Sequence, residues 1–456
     1  MRQTFLLAFV RPFCIAGLMA FGACSESTPE PAPVIDPVDT THTEPADTLK
    51  PTRSALHYPS LVSVDGRFNL TSEQKECIRR NNDFSLRLLA NIRQQQRSEK
   101  AETPFSGLST VFSPLSLSIA LAFAADGASG NTATEIWNTT GFAASTSVNE
   151  LCATIIQNTL QADSTTRFNI ANAFYLNSLK GYTMKDDYIY RLHGYYDADI
   201  ETLDFSDVAS LQRINDWGKR QTDGMIPNVL QELSVSAVAY LLNAIFMEAG
   251  WVHQFSEVAT LTDDFTNAAG KIQQLPLMHQ TGSLPYVETA EYQALRMHYG
   301  NNTFGMTIIL PKDGKTIDNV LASLTPEALD AIAQQRNHVL INLTLPRFTS
   351  DVTTDLIDIL KTMGIHQAFD PQLACFDGIV NETSLCISEI FQKARIEVAE
   401  KGTRAAAITV IGMEKGSIGE PVVEPVPIPF TANRPFLYFI TERTTGTIYF
   451  MGVYDG

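Results

Sequence analysis

Catalytic signatures are missing from this sequence. Its 456 residues contain no H-E-x-x-H pair for zinc and no G-x-S-x-G elbow to raise a nucleophilic serine. Gly314-Lys315-Thr316 looks like the end of a phosphate loop, but Ile309 stands where the first glycine is required, so the stretch reads as a surface turn. The eight histidines are scattered and none pairs at metal-ligand spacing, so each reads as a surface or core residue and no metal or cofactor is implied. A Ser/His/Asp triad assembled in space would leave no such spacing, which keeps a surface hydrolase as a rival class. Basic charge is short as well. Lys and Arg number 33 against 50 Asp and Glu, a net charge of −17 that repels phosphate backbones and excludes nucleic acid as a partner. Six cysteines in so long a chain are too few for a small disulfide scaffold, and without C-x-x-C a thioredoxin-like redox site has no support. Internal repeats are absent, and 26 glycines and 22 prolines, near average use, argue against a collagen-like or low-complexity chain. What the chain does have is 44% hydrophobic and 18% charged residues, enough for a large buried core.

The N-terminus reads as a targeting segment. Arg2 starts it, Phe5–Val10 and Ile15–Phe21 supply apolar stretches, and the small residues Gly22 and Ala23 end it, the outline of an export signal over residues 1–23. Arg11 and Pro12 interrupt the run, which argues against a spanning helix of about 20 apolar residues. Small residues before Cys24 resemble a bacterial lipoprotein cleavage site, whose thiol takes a diacylglycerol; an ordinary signal cut nearby is the alternative. Phe21 departs from the aliphatic residue usual there. From Ser25 to Pro59 come seven prolines and six acidic residues with few large apolar ones. Such a segment cannot bury enough surface to offset its ordering entropy, so residues 24–68 read as an extended tether. The expectation is an exported bacterial envelope lipoprotein whose globular body occupies residues 69–456.

Within the body, Thr71–Gln95 carries apolar residues at helical spacing, and Ser113-Pro114 opens a second apolar helix, Leu115–Ala125. Thr303–Leu310 and His338–Phe348 read as strands, and Leu437–Val453 as two strands joined at Thr445-Gly446. Helices dominate the first half and strands the second, without βαβ alternation. That is an α+β pattern with mostly antiparallel sheets. Of the remaining cysteines 77, 152, 375 and 386, the pair Cys375–Cys386 is the first disulfide to test, with buried free thiols as the alternative.

One segment is unlike the rest. After strand-like Arg395–Ala399 the chain reads Glu400-Lys401-Gly402-Thr403-Arg404-Ala405-Ala406-Ala407-Ile408-Thr409-Val410-Ile411, then a polar Gly/Pro-rich run to Pro429. Taken locally, so many alanines favour a short helix. Together with other motifs, however, the segment resembles the serpins. The hinge Glu400-Lys401-Gly402-Thr403-x-Ala405-Ala406-Ala407 and the signature Phe430–Ile440 match that family. So do Ser113-Pro114-Leu115-Ser116, Ile214–Trp217 with Thr222-x-Gly224-x-Ile226, Asn243-Ala244-Ile245, and Leu345-Pro346-Arg347-Phe348. The motifs follow the family order from Asn69 to Gly456.

The resemblance implies a serpin fold: a helical N-terminal half, three mostly antiparallel sheets and an exposed reactive loop at about 402–429. It implies a monomer and no enzyme. In inhibitory members a protease cuts the loop, which then inserts as a strand and traps the acyl-enzyme. An inserted strand has period two, so Thr403, Ala405, Ala407, Thr409 and Ile411 would face the core and Arg404, Ala406, Ile408 and Val410 would face out. No inward position is charged, which favours an inhibitor over a non-inhibitory binding or chaperone relative. Gly402 would give the hinge backbone freedom. The region where the sheet parts would comprise Ser113, Ser116, Asn243 and Gln392, the last standing where the family usually has histidine. The scissile bond falls near Gly416, with Lys415 and Met413 as the side chains a protease pocket could grip. Lys415 implies trypsin-like targets and Met413 elastase- or chymotrypsin-like ones, with cysteine proteases as a further class. The alternative for Lys415 is a solvated loop charge.

Overall fold

The computed structural model describes residues 68–99, 109–142, 147–381, 385–403 and 426–456. The N-terminal segment with Cys24, and the loop residues Ala405, Ala406, Ala407, Met413, Lys415 and Gly416, lie outside them. The helices are α1 (Ser72–Glu99), α2 (Pro114–Asp126), α3 (Gly130–Thr140), α4 (Ser147–Gln161), α5 (Asp186–Tyr196), α6 (Val208–Gln221), α7 (Ile317–Ser323), α8 (Pro326–Ala333) and α9 (Ile357–Thr362). The strands are β1 (Thr110–Phe112), β2 (Arg167–Asn177), β3 (Ala198–Leu203), β4 (Ala239–Gly250), β5 (Leu261–Thr266), β6 (Ile272–Glu288), β7 (Tyr292–His298) and β8 (Phe304–Pro311). Then follow β9 (His338–Pro346), β10 (Phe348–Asp355), β11 (Phe391–Ala399), β12 (Gly402–Thr403), β13 (Ile428–Thr431), β14 (Phe436–Glu442) and β15 (Ile448–Tyr454).

A six-stranded sheet runs β10-β11-β12-β4-β2-β3, and a nine-stranded one runs β1-β15-β14-β8-β7-β6-β9-β13 with β5 paired to β6. The three sheets expected from the sequence emerge as two hydrogen-bonded assemblies because the 17-residue β6 serves two of them. Leu261–Thr266 and β9 pair along its first part, and β7 pairs with Tyr286–Glu288 at its end. The ladders are antiparallel apart from β2–β3 and β9–β13. The β2–α5–β3 crossover is a βαβ unit that the sequence reading did not expect. It stands alone among antiparallel ladders in the first half of the described residues, so no alternating pattern builds up.

Burial explains the segments the sequence read well. Both β14 and β15 are buried along their whole length, which requires a continuous apolar run rather than alternation. Helix α2 is apolar on nearly all sides because it is buried between the sheets, and its start is fixed by the cap Ser116 N–H to Ser113 Oγ (3.1 Å) with Pro114 in the first turn. The main core includes Phe84, Leu88, Ile119, Phe123, Ile308 and Phe439, and a second cluster packs α6 against β2 and β4 through Ile214, Trp217 and Ala244.

Of the two readings left open for the cysteines, the structure shows free thiols, at Cys77, Cys152, Cys375 and Cys386 alike. Cys375 Sγ lies 3.1 Å from Ser129 Oγ, and its backbone N–H bonds Thr132, so local hydrogen bonding holds it without a bridge to Cys386. Burial pushes the Cys152 thiol up to about 12, which leaves it unreactive. The Gly314–Thr316 turn behaves as read: Thr316 caps α7 through Asn319, and Lys315 pairs with Glu291 at 2.9 Å.

Candidate functional site

The hinge is a two-residue turn that folds β12 back along β11. Val398 pairs with Thr403 and Ala399 with Gly402 on one side, while Gly402 pairs with Gly250 and Thr403 with Ala249 on the other. These two residues therefore form a short strand wedged between β11 and β4. Gly402 is needed here for its backbone conformation, with φ at +158° where other residues are strained, and also for space. A Cβ on it would lie 2.1 Å from Ala249 O and 2.8 Å from Gly250 Cα, backbone atoms that cannot swing away.

Several groups clamp this strand. Thr403 is buried, and its hydroxyl lies 2.5 Å from the Tyr299 hydroxyl. Tyr299 stacks on Trp251, with ring centroids 4.3 Å apart. Trp251 donates its backbone N–H to Lys401 O and its indole N–H to Ala399 O, both at 2.9 Å. The Glu400 carboxylate accepts from Arg347 and from Thr260 Oγ1 (2.7 Å). Burial acts to raise the Glu400 carboxyl, but the hydrogen bonds from Arg347 and Thr260 outweigh it and hold the group below its usual range. Lys401 points outward to Glu257 at 3.2 Å.

Beyond Thr403 the sheet has a seam. Among the described residues, no ladder joins β4 to β11 except through β12. A cleft follows directly after Thr403, walled by Ile245 and Met247 of β4 and Ile396 of β11, with Ile440 and Phe450 also lining it. A second cleft lies between Leu241 and Asn243 on one side and Ile390 and Gln392 on the other, over α2.

The four residues expected where the sheet parts are brought together at this second cleft. The start of α2 straddles it. Gln392 accepts from Ser113 N–H at 2.7 Å and donates to Ser113 O at 2.9 Å, tying α2 to β11. The Ser116 hydroxyl donates to Asn243 Oδ1, tying α2 to β4. Asn243 in turn donates to Asn172 (2.5 Å), and Asn172 to Tyr196 O (2.7 Å). An amide at position 392 can donate and accept at once, as this site requires. Sequence reasoning missed Asn172, Tyr299 and Thr260, and it met Trp251 and Arg347 only as motif residues, without their contacts to the hinge. Asn172 faces Asn243 across the β2–β4 ladder, a register that no local pattern reveals. Glu248, near the end of β4, pairs with Arg167 at 2.5 Å.

A sheet whose strands β11 and β4 are joined only through the two-residue β12 among the described residues, with the hinge seated at one end of the seam, defines a class of protein built around strand insertion. The family model described as "Serpin (serine protease inhibitor)" matches residues 79–455. The chain belongs to the serpin family, whose members are generally protease inhibitors or binding proteins rather than enzymes. It is 29% identical over 454 residues to a serpin-like protein of Thermococcus kodakarensis, covering 99% of this chain and 98% of that one. Among solved structures, native tengpin, a thermophilic serpin, aligns with a TM-score of 0.72 at 26% identity, over 85% of this chain and 95% of tengpin. Human thyroxine-binding globulin in complex with its hormone aligns with a TM-score of 0.72 at 25% identity, over 84% of this chain and 98% of that one.

Proposed function

We propose that this serpin is a suicide inhibitor of serine proteases whose loop is cut near Gly416 and then inserts between β11 and β4. The observation that carries this reading is the seated hinge: Gly402 and Thr403 already occupy the strand position, with a cleft directly beyond them. Continuing their register gives the inserted form. Ala405 would come between Met247 and Ile396, Ala407 between Ile245 and Ala394, and Thr409 between Asn243 and Gln392. These neighbours alternate with the residues of β4 that face α6, so the small side chains of the loop meet the main core face. Insertion adds strand hydrogen bonds on two sides and buries apolar surface, and it drags the acylated protease with it.

Lys415 makes trypsin-like enzymes the first targets, Met413 adds elastase- or chymotrypsin-like ones, and cysteine proteases are a further class with an acylating nucleophile. The chemistry needs no cofactor, since the target supplies the nucleophile. Export and lipidation at Cys24 would hold this inhibitor, a monomer, on the bacterial envelope by a leash. Incubation with trypsin-like and elastase-like proteases followed by denaturing gels tests the reading. An SDS-stable complex supports it, and complete turnover of the loop without a complex refutes it. Mass analysis of the released peptide identifies the cut bond, and loss of membrane association in Cys24→Ser tests the anchor. The second reading, a non-inhibitory binding or chaperone protein, draws on the likeness to thyroxine-binding globulin. It requires that cleavage leave the unfolding temperature unchanged.

A further inference from the structure

The scattered histidines form no motif along the chain, yet three of them meet in space. His253 follows β4, His298 ends β7 and His338 begins β9, and all three line one half-open cavity with Arg443 from the turn after β14. The cavity measures about 330 Å³. Val252, Leu284, Pro285 and Met297 give it an apolar wall, and among the described residues no Asp or Glu lines it, in a chain whose net charge is −17. Arg443 makes no ion pair among the described residues, although arginines elsewhere on the surface are regularly paired.

The polar groups here are incompletely satisfied. Gln280 Nε2 and His298 Nδ1 are buried and have no hydrogen-bond partner in the protein. Burial first, and then the nearby guanidinium groups of Arg296 and Arg443, hold His298 down to about 4. Among the described residues no group of side chains is arranged to hold a metal ion. A cavity with one unpaired guanidinium, clustered imidazoles, unmet donors and an apolar wall is complementary to a ligand with an anionic head and an apolar body.

We propose that this cavity binds a small organic anion, its carboxylate or sulfonate set on Arg443 and the surrounding imidazoles and its apolar part against Val252, Leu284, Pro285 and Met297. The site shares a wall with the hinge clamp. Val252 N–H donates to His298 O at 2.9 Å, and the two residues adjoin Trp251 and Tyr299 in the chain. The site itself stands whether or not the protein inhibits proteases.

The test titrates the full chain with 8-anilinonaphthalene-1-sulfonate, followed by fluorescence and calorimetry, with Arg213→Gln as a distant control. One saturable site is expected, weakened about 10- to 100-fold in Arg443→Gln through loss of a charge-assisted contact. His338→Glu, a change at an exposed position, should weaken it at least as much by placing a carboxylate at the rim. If one variant fails to fold, the other decides. Absence of saturable binding, or binding that neither variant alters while Arg213→Gln behaves as wild type, overturns the proposal.

Discussion

Thr403→Arg tests the insertion argument at the residue on which it turns. Thr403 is 3% exposed, sits between Ala249 and Val398, and shares a hydroxyl–hydroxyl hydrogen bond with Tyr299. No carboxylate is among these contacts, so an arginine seated there would be a buried charge without a partner. Such a charge costs about 3–5 kcal/mol, and the lost hydroxyl contact adds about 1 kcal/mol. The strand would instead stay out of the sheet, and insertion would slow by roughly 10³–10⁴-fold, since about 1.4 kcal/mol is tenfold in rate. Hydrolysis of the acyl-enzyme does not depend on insertion, so the competition between trapping and release swings to release. The assay is the number of inhibitor molecules consumed per protease trapped, read with the SDS-stable band on a gel. Wild type should trap nearly one for one, and Thr403→Arg should be cut completely with little or no complex. Thr403→Val keeps the volume and loses only the Tyr299 contact, so it should still trap. Unchanged trapping by Thr403→Arg would refute the idea that this position must enter the sheet.

Three further outcomes follow from the same geometry. Gly402→Ala drives a methyl group into Ala249 O, so loss of β12 pairing and about 1–3 kcal/mol of stability is expected, read from denaturant midpoints. Gln392→Ala leaves the N–H of Ser113 without its side-chain partner at a largely buried site, so a loss of about 1–3 kcal/mol is expected, with Gln392→Glu recovering only the accepting half. His298 is lowered from 6.5 to about 4. A base held below its unfolded value contributes stability that is full above pH 6.5 and is lost as pH falls toward 4, a window worth up to about 3 kcal/mol. His298→Gln should therefore flatten the acid limb of stability in that window, and an unchanged acid limb would show that the imidazole is not buried as described.

Much of the machinery could be read from residue order. The small, uncharged inward positions of the hinge, the Ser113-Pro114 cap and the apolar strands of the signature are local patterns, because turn chemistry and burial on both faces leave their mark on neighbouring residues. The role of Gly402 could be read only in part. Its identity was plain, but the demand for space comes from Ala249, a residue far away in the chain. Glu400 looked like a hinge landmark, and only the fold brings Arg347 and Thr260 to it. Cys375 and Cys386 suggested a bridge by closeness in sequence, whereas their surroundings give each thiol a separate place.

The sequence by itself determined the family, the α+β character and the composition of the strand that would insert. These depend on residue type at fixed spacing. Tertiary structure alone decided three things: that Gly402–Thr403 is already wedged between β11 and β4, that α2 straddles the seam through Gln392 and Asn243, and that three distant histidines face one cavity with Arg443. Each depends on register between segments far apart in the chain, where a shift of one residue would turn every side chain to the other face. That register is set by the packing of the whole core and is recorded in no single stretch of sequence.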